Sequence, residues 1–221
     1  MLDVIARPLG ALLKLIFDIL GDYGYAIVVF TILMKILLLP INIKQTASTK
    51  KMNEINPKMK EIQAKYKNDK EKMNEKLMEL YKENNYNPAS GCLPALIQLP
   101  VIIALFRVLQ QPTKFVFSPE QYAVLAKSFL WLSDLSKPDP LFILPVLSAL
   151  TTFVQTSMVS AKGNVDPSLK TMNMIMPIMI GWITIKFPSG LAMYWVVGNI
   201  FTIIQQYLMT KPLFSLKGGE K

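Results

Sequence analysis

Lys35 stands in the middle of an apolar run, YGYAIVVFTILMKILLLPINI, and none of the chain's other long apolar segments holds an Asp or Glu that could neutralise it. A lysine at bilayer depth costs about 2.5 to 3.5 kcal/mol on insertion scales, so such a group usually faces protein or trapped water rather than lipid. With a span from 23 to 43, Lys35 lies about 12 Å from its inner end at a rise of about 1.5 Å per residue. Snorkelling is the plain alternative. It is opposed by this depth and by the lean of helical side chains toward the helix N-terminus, here away from the basic loop that follows. The chemistry open to an uncompensated ammonium at this depth is to hold water and attract an acidic group.

Other polar residues fall at similar depths. Gln98 and Gln155 lie about 9 Å from the cytoplasmic side, and Gln205 and Gln206 are shallower. Thr31 sits one turn from Lys35 on the same face, and Asn199 is near mid-depth. Toward the outer side the lining becomes Tyr194, Trp195 and aliphatic residues. This pattern predicts a cavity open to the cytoplasm and capped outside. For each glutamine taken singly, an interhelical hydrogen bond is the competing role. Met172, Met174, Met176 and Met179 read first as packing filler, and second as a flexible surface suited to varied apolar sequences.

The elements that must position these residues follow from composition. The chain has 221 residues, 52% of them hydrophobic, a formal charge of +9, a pI near 9.5 and a mean hydropathy of +0.33. These values describe an all-α polytopic membrane protein. Five segments are long and apolar enough to be read as transmembrane helices: 23–43, 92–110, 140–161, 171–187 and 190–209. The fourth is the shortest, and the turn KFPSG joins it to the fifth. Eleven lysines and no arginine follow the first span between Lys44 and Lys82, which marks that loop as cytoplasmic. Lys162 and Lys170 in the loop 162–170, and Lys211, Lys217 and Lys221 in the tail 210–221, then fall on the same side. The loop 111–139 has balanced charge and is external, so the chain is read as multi-pass, N-out and C-in.

Residues 1–22 are read as an outer interfacial amphipathic helix. Leu9, Leu12, Leu13, Ile16 and Leu20 share one face, Lys14 and Asp18 the other, and Pro8 stands at the expected start. A signal peptide fits less well, because charges interrupt its apolar part and no A-x-A-like site follows. Residues 44–91 are read as a cytoplasmic helical hairpin. Met52, Ile55, Met59, Ile62 and Tyr66 form one stripe and Met73, Leu77, Leu80 and Tyr81 another, with a break at Asn68 and Asp69 and a kink or restart at Pro57. Its lysines suit anionic lipid heads or ribosomal RNA.

With one cysteine, Cys92, no histidine, no GxGxxG, no P-loop and no Ser/His or Cys/His pair, the chain lacks the usual parts for hydrolytic, nucleotide-driven or metal chemistry. No catalytic residue, cofactor or metal is expected, and no enzyme activity.

Four blocks carry a family resemblance: FTILMKILLLPINIKQ, NPKMKEIQAKYK, NPASGCLPALIQLPVIIALF and FPSGLAMYWVVGNIFTIIQQ. On these the chain resembles YidC-type membrane protein insertases of the Oxa/YidC/Alb superfamily, in a short form without a large external domain. The resemblance implies five spans, a cytoplasmic hairpin and an inward-open hydrophilic groove. It implies a chaperone for nascent membrane proteins, acting in the lipid bilayer of the bacterial cytoplasmic membrane with the ribosome, alone or beside the Sec translocon, without DNA. By position, Lys35 matches the family's basic groove residue, usually arginine, Thr31 its neighbour, and Tyr194 and Trp195 an aromatic pair along which substrates slide. The expected groove is therefore Lys35, Thr31, Gln98, Gln155, Tyr194, Trp195 and Asn199. A channel or secondary transporter would instead need polar lining through both leaflets or internal repeats, and a ribosome-recruiting scaffold would leave Lys35 without a task.

Overall fold

Pro40 divides the first apolar run. The computed structural model describes residues 2–87, 93–125, 127–159 and 167–210. In it, α2 (Tyr23–Leu37) and α3 (Leu39–Lys65) meet at a bend of 55°. Pro40 has no N–H to continue the ladder, and Leu38 becomes both the end of α2 and the cap of α3. The single helix expected over 23–43 is thus two, and the second runs without interruption into the hairpin. It passes through Pro57, so of the kink or restart expected there no restart occurs.

The hairpin closes with α4 (Lys70–Glu83), whose first turn is capped by Asp69 accepting from the Lys72 N–H at 3.0 Å. The two predicted stripes are its inner faces. Ile55 and Leu80 are buried, and Met52, Met59, Ile62, Tyr66, Met73, Leu77 and Tyr81 are half-buried. Tyr86 closes the far end edge-on to Tyr81 at 5.5 Å.

The remaining helices are α1 (Leu2–Leu20), α5 (Leu93–Gln110), α6 (Pro112–Phe115), α7 (Pro119–Val124), α8 (Ile143–Val159), α9 (Pro167–Thr184) and α10 (Ser189–Thr210). Among the described residues there is no strand, only an isolated bridge between Phe129 and Leu132. Helix α9 packs on α8, α8 on α10, α10 on α2, and both α2 and α5 on α1. No single described helix is both long and apolar enough to cross a membrane, although the bent pair α2 and α3 passes together. Helix α10 has the length, but Asn199, Gln205 and Gln206 lower its hydropathy.

The face of α1 differs from the expected one. Ala6, Leu9, Leu13 and Ile16 are buried, whereas Leu20 is exposed because Gly21, at φ 70°, turns the chain away behind it. Pro8 lies inside the helix rather than at its start. The missing hydrogen bond falls on the exposed side, at Val4. Helix α1 is also clamped by charge, because Asp3 accepts from Arg107 on α5 at 2.9 Å and from Lys114 on α6 at 3.3 Å.

The loop 111–139 is a packed cap. Val116, Phe117, Leu132 and Leu135 are buried, and Phe117 meets Phe17 at 4.9 Å and Tyr23 at 5.5 Å edge-on. Buried Asp139 accepts from the Trp131 indole at 3.2 Å and from the backbone N–H groups of Leu141 at 3.0 Å and Leu144 at 2.7 Å. It thereby satisfies a donor that the first turn of α8 leaves open. The turn before α10 is tied to the same loop, with Ser189 donating through its hydroxyl to the Lys137 carbonyl at 2.6 Å.

Hydrogen bonds from Arg107 and then Lys114 hold the Asp3 carboxyl below its ordinary value of 3.8. Its contribution is complete above that value and is lost as pH falls through the lowered one. Hydrogen exchange in the first turns of α1, corrected for intrinsic rates, should therefore accelerate on acidification, and Asp3→Asn should abolish that dependence. Asp139→Ala leaves three donors without this acceptor, the Leu144 N–H among them buried, and should destabilise the chain by about 1 to 3 kcal/mol, read as a lower Tm in detergent.

Candidate functional site

Helix α10 presents two faces to two neighbours. Tyr194, Gly198 and Thr202, spaced at i, i+4 and i+8, run along one side, while Trp195 and Asn199 form the adjoining stripe. The first side receives α2. The Lys35 ammonium donates to the Thr202 hydroxyl at 3.2 Å, and its stem lies against Gly198, where an added Cβ would come within 2.9 Å of Lys35 Cε. Thr31 completes this wall, fully buried, with its hydroxyl donating to the Ile27 carbonyl at 2.6 Å. Among the described residues no carboxylate forms an ion pair with Lys35.

The second stripe receives α8. The Trp195 indole donates to the Thr152 hydroxyl at 3.1 Å. Asn199 stands within hydrogen-bond reach of Thr151, Thr152 and Gln155. Turning its amide oxygen toward Gln155 Oε1 would oppose two acceptors. In the orientation that avoids this, the Asn199 amide donates to Gln155 at 2.7 Å and accepts from the Thr152 hydroxyl at 2.9 Å. Thr152 is then satisfied in both directions, as a buried hydroxyl requires.

Of the seven residues expected to line a groove, six are placed and Gln98 is not. Gln98 lies on α5, but its side chain falls outside the described residues. Gln155, Trp195 and Asn199 meet in one network. Lys35 and Thr31 meet on the neighbouring face. Tyr194 is 4% exposed and belongs to the core, so the aromatic pair is divided, with only Trp195 half-buried. Successive helical residues point about 100° apart, which separates the two rings. Gly198, Thr202, Thr151 and Thr152 were not singled out from sequence. The signal for the first two was their i and i+4 spacing on the helix that also carries Asn199.

Met174, Met176 and Met179 are exposed rather than packed in the core, and Met172 lies outside the residues whose side chains are described. Helix α9 rests on α8 through the close approach of Gly181 to Ala149, and its Ile175, Ile178 and Trp182 are exposed.

A family model described as 60Kd inner membrane protein matches residues 15–215. The chain belongs to this family. Relatives within reach of this 60Kd inner membrane protein family include the membrane protein insertase YidC of Caldanaerobacter subterraneus subsp. tengcongensis, 42% identical over 97% of this chain and 98% of that one. The membrane protein insertase YidC of Clostridium perfringens is 43% identical over 93% of this chain and 91% of that one. The fold is similar to a crystal structure described as an active YidC insertase with the first transmembrane domain resolved, at a TM-score of 0.72 and 28% identity. That match covers 93% of this chain and 46% of the crystallised one.

The Asn199 network joins α8 to α10 through polar groups alone, so Asn199→Leu should lower stability by about 1 kcal/mol, measured by thermal unfolding in detergent. Gln206→Ala, outside that network, should change the Tm less.

Proposed function

We propose that this membrane protein insertase receives nascent hydrophobic segments from the cytoplasm in a hydrophilic groove bordered by α2, α5, α8 and α10. The observation that carries this reading is Lys35, a half-buried ammonium with a hydroxyl partner and no ion-paired carboxylate among the described residues. A charge left in that state suits a site that must attract an acidic tail transiently, because a built-in carboxylate would compete for it. Lys35, Thr31, Gln98, Gln155, Trp195 and Asn199 supply the polar surroundings, and Tyr194 supports them from the core.

The topology we favour has five spans, N-out and C-in, with α1 at the outer surface and α3 and α4 in the cytoplasm. The lysines of residues 44–91 support that orientation. Exposed Val146, Leu150 and Phe153 on α8, Ile175, Ile178 and Trp182 on α9, and Ile200 and Ile204 on α10 suit a lipid-facing perimeter. The packed loop 111–139 suits an outer cap. A tail drawn toward Lys35 crosses only the remaining outer portion, while the apolar part of the substrate moves into lipid, where burial of about 20 residues drives release. No cofactor, metal or covalent step is required. The basic hairpin is the surface we assign to the ribosome, and the groove serves a chain acting alone or beside the Sec translocon.

The test is insertion of a single-span protein with an acidic external tail into liposomes holding the whole chain, read by protease protection of the tail. Wild type and Lys35→Arg should insert it, and Lys35→Ala and Lys35→Glu should lose activity severalfold. Equal insertion by all four would overturn the role of Lys35, and no insertion above empty liposomes would overturn the reading as a whole.

A further inference from the structure

Lys35 is the group on which the proposed function turns, yet a lysine side chain has three rotatable donors and a flexible stem. Something must hold it. Two residues of α10 meet it. At Gly198 the absence of a side chain leaves a slot for the stem, since an added Cβ would stand 2.9 Å from Lys35 Cε, 3.5 Å from its Nζ and 3.8 Å from Thr31 Cγ2. One turn on, the Thr202 hydroxyl donates its own hydrogen to the Gly198 carbonyl at 2.9 Å. Its oxygen lone pairs are thereby presented to the Lys35 ammonium, which donates to them at 3.2 Å.

We propose that Gly198 and Thr202 are positioning residues that set the depth and direction of the Lys35 ammonium, and so determine how strongly the site discriminates acidic from neutral substrate tails. This inference rests on the reading of Lys35 as the attractive charge of the groove. A hydroxyl acceptor suits the task better than a carboxylate would. It occupies one of three N–H donors and fixes the head group while leaving its charge intact. Two donors remain for a carboxylate on the incoming tail. Gly198 serves the same end by letting the stem lie flat against α10, so that the ammonium reaches Thr202 instead of swinging toward the cytoplasm.

The experiment uses the whole chain in liposomes and two single-span test proteins that differ only in an acidic or an uncharged external tail. The quantity read is the ratio of the two insertion yields, because a general loss of folding lowers both and leaves the ratio unmoved. Gly198→Ala and Thr202→Val should each lower that ratio severalfold, and Thr202→Ser, which keeps the acceptor, should restore it. Against a Lys35→Ala background, Gly198→Ala and Thr202→Val should have no further effect on the ratio, since residues acting through one group are not additive with its removal. If Lys35→Ala lowers the ratio but Gly198→Ala and Thr202→Val do not, the positioning role fails and the groove reading survives. If the two α10 variants lower it equally with Lys35 absent, they act by another route and the inference is wrong. A ratio indifferent to Lys35→Ala overturns both.

Discussion

Keeping one ammonium inside an apolar helical bundle without a counter-charge among the described residues is the constraint that orders the rest of this structure. An ion pair would neutralise Lys35 and leave nothing for a visiting acidic group. Exposure to lipid would cost several kcal/mol. The solution is a neutral, oriented acceptor on a neighbouring helix, with a glycine beside it to admit the stem. Helix α10 must then come close to α2 on one side while remaining attached to α8 on the other. The second attachment is polar as well, through Asn199, Thr152, Gln155 and Trp195. Each of these polar side chains finds a partner, which is what permits so many of them in an otherwise apolar layer.

The two ends of the bundle are built differently, and the difference follows from what each holds. At the end bearing Tyr23, Phe117 and Phe17 interlock edge-on and the loop 111–139 is stitched to α8 through Asp139 and to α10 through Ser189. That end is dense and closed. At the other, α2 breaks at Pro40 and α3 leaves at 55° toward the charged hairpin. The break separates the C-terminal part of the first apolar run from the N-terminal part, so the polar strip lies next to a bend rather than inside a straight helical wall. Helix α9 packs chiefly on α8, and the thioethers of Met174, Met176 and Met179 are exposed.

Much of the arrangement was legible in the residues. Lysine inside an apolar run, the two three-four stripes of the hairpin and the turn at Pro188 and Gly190 are local signals, and helices occupy the segments they mark. The face of α1 was legible in part. Leu9, Leu13 and Ile16 are buried as their spacing suggests, but Leu20 is not, because a glycine with positive φ ends the packing one turn early. The methionines of α9 show the limit of periodicity. Their spacing is equally compatible with core and perimeter, and only the number of neighbouring helices separates the two.

Composition, lysine distribution and motif order by themselves determined a mostly helical membrane insertase of this family with a lysine and no Asp or Glu in its first apolar run. Those properties are carried by residue type and position along the chain, so no partner is needed to read them. Which residue would hold Lys35, which aromatic of the Tyr194 and Trp195 pair would be buried, and where Asn199 would find its partners were decided only by tertiary structure. Each depends on the rotation of α10 relative to α2 and α8. A turn of one helical position moves a side chain by about 100°, and the angle that is adopted reflects packing between helices distant in sequence.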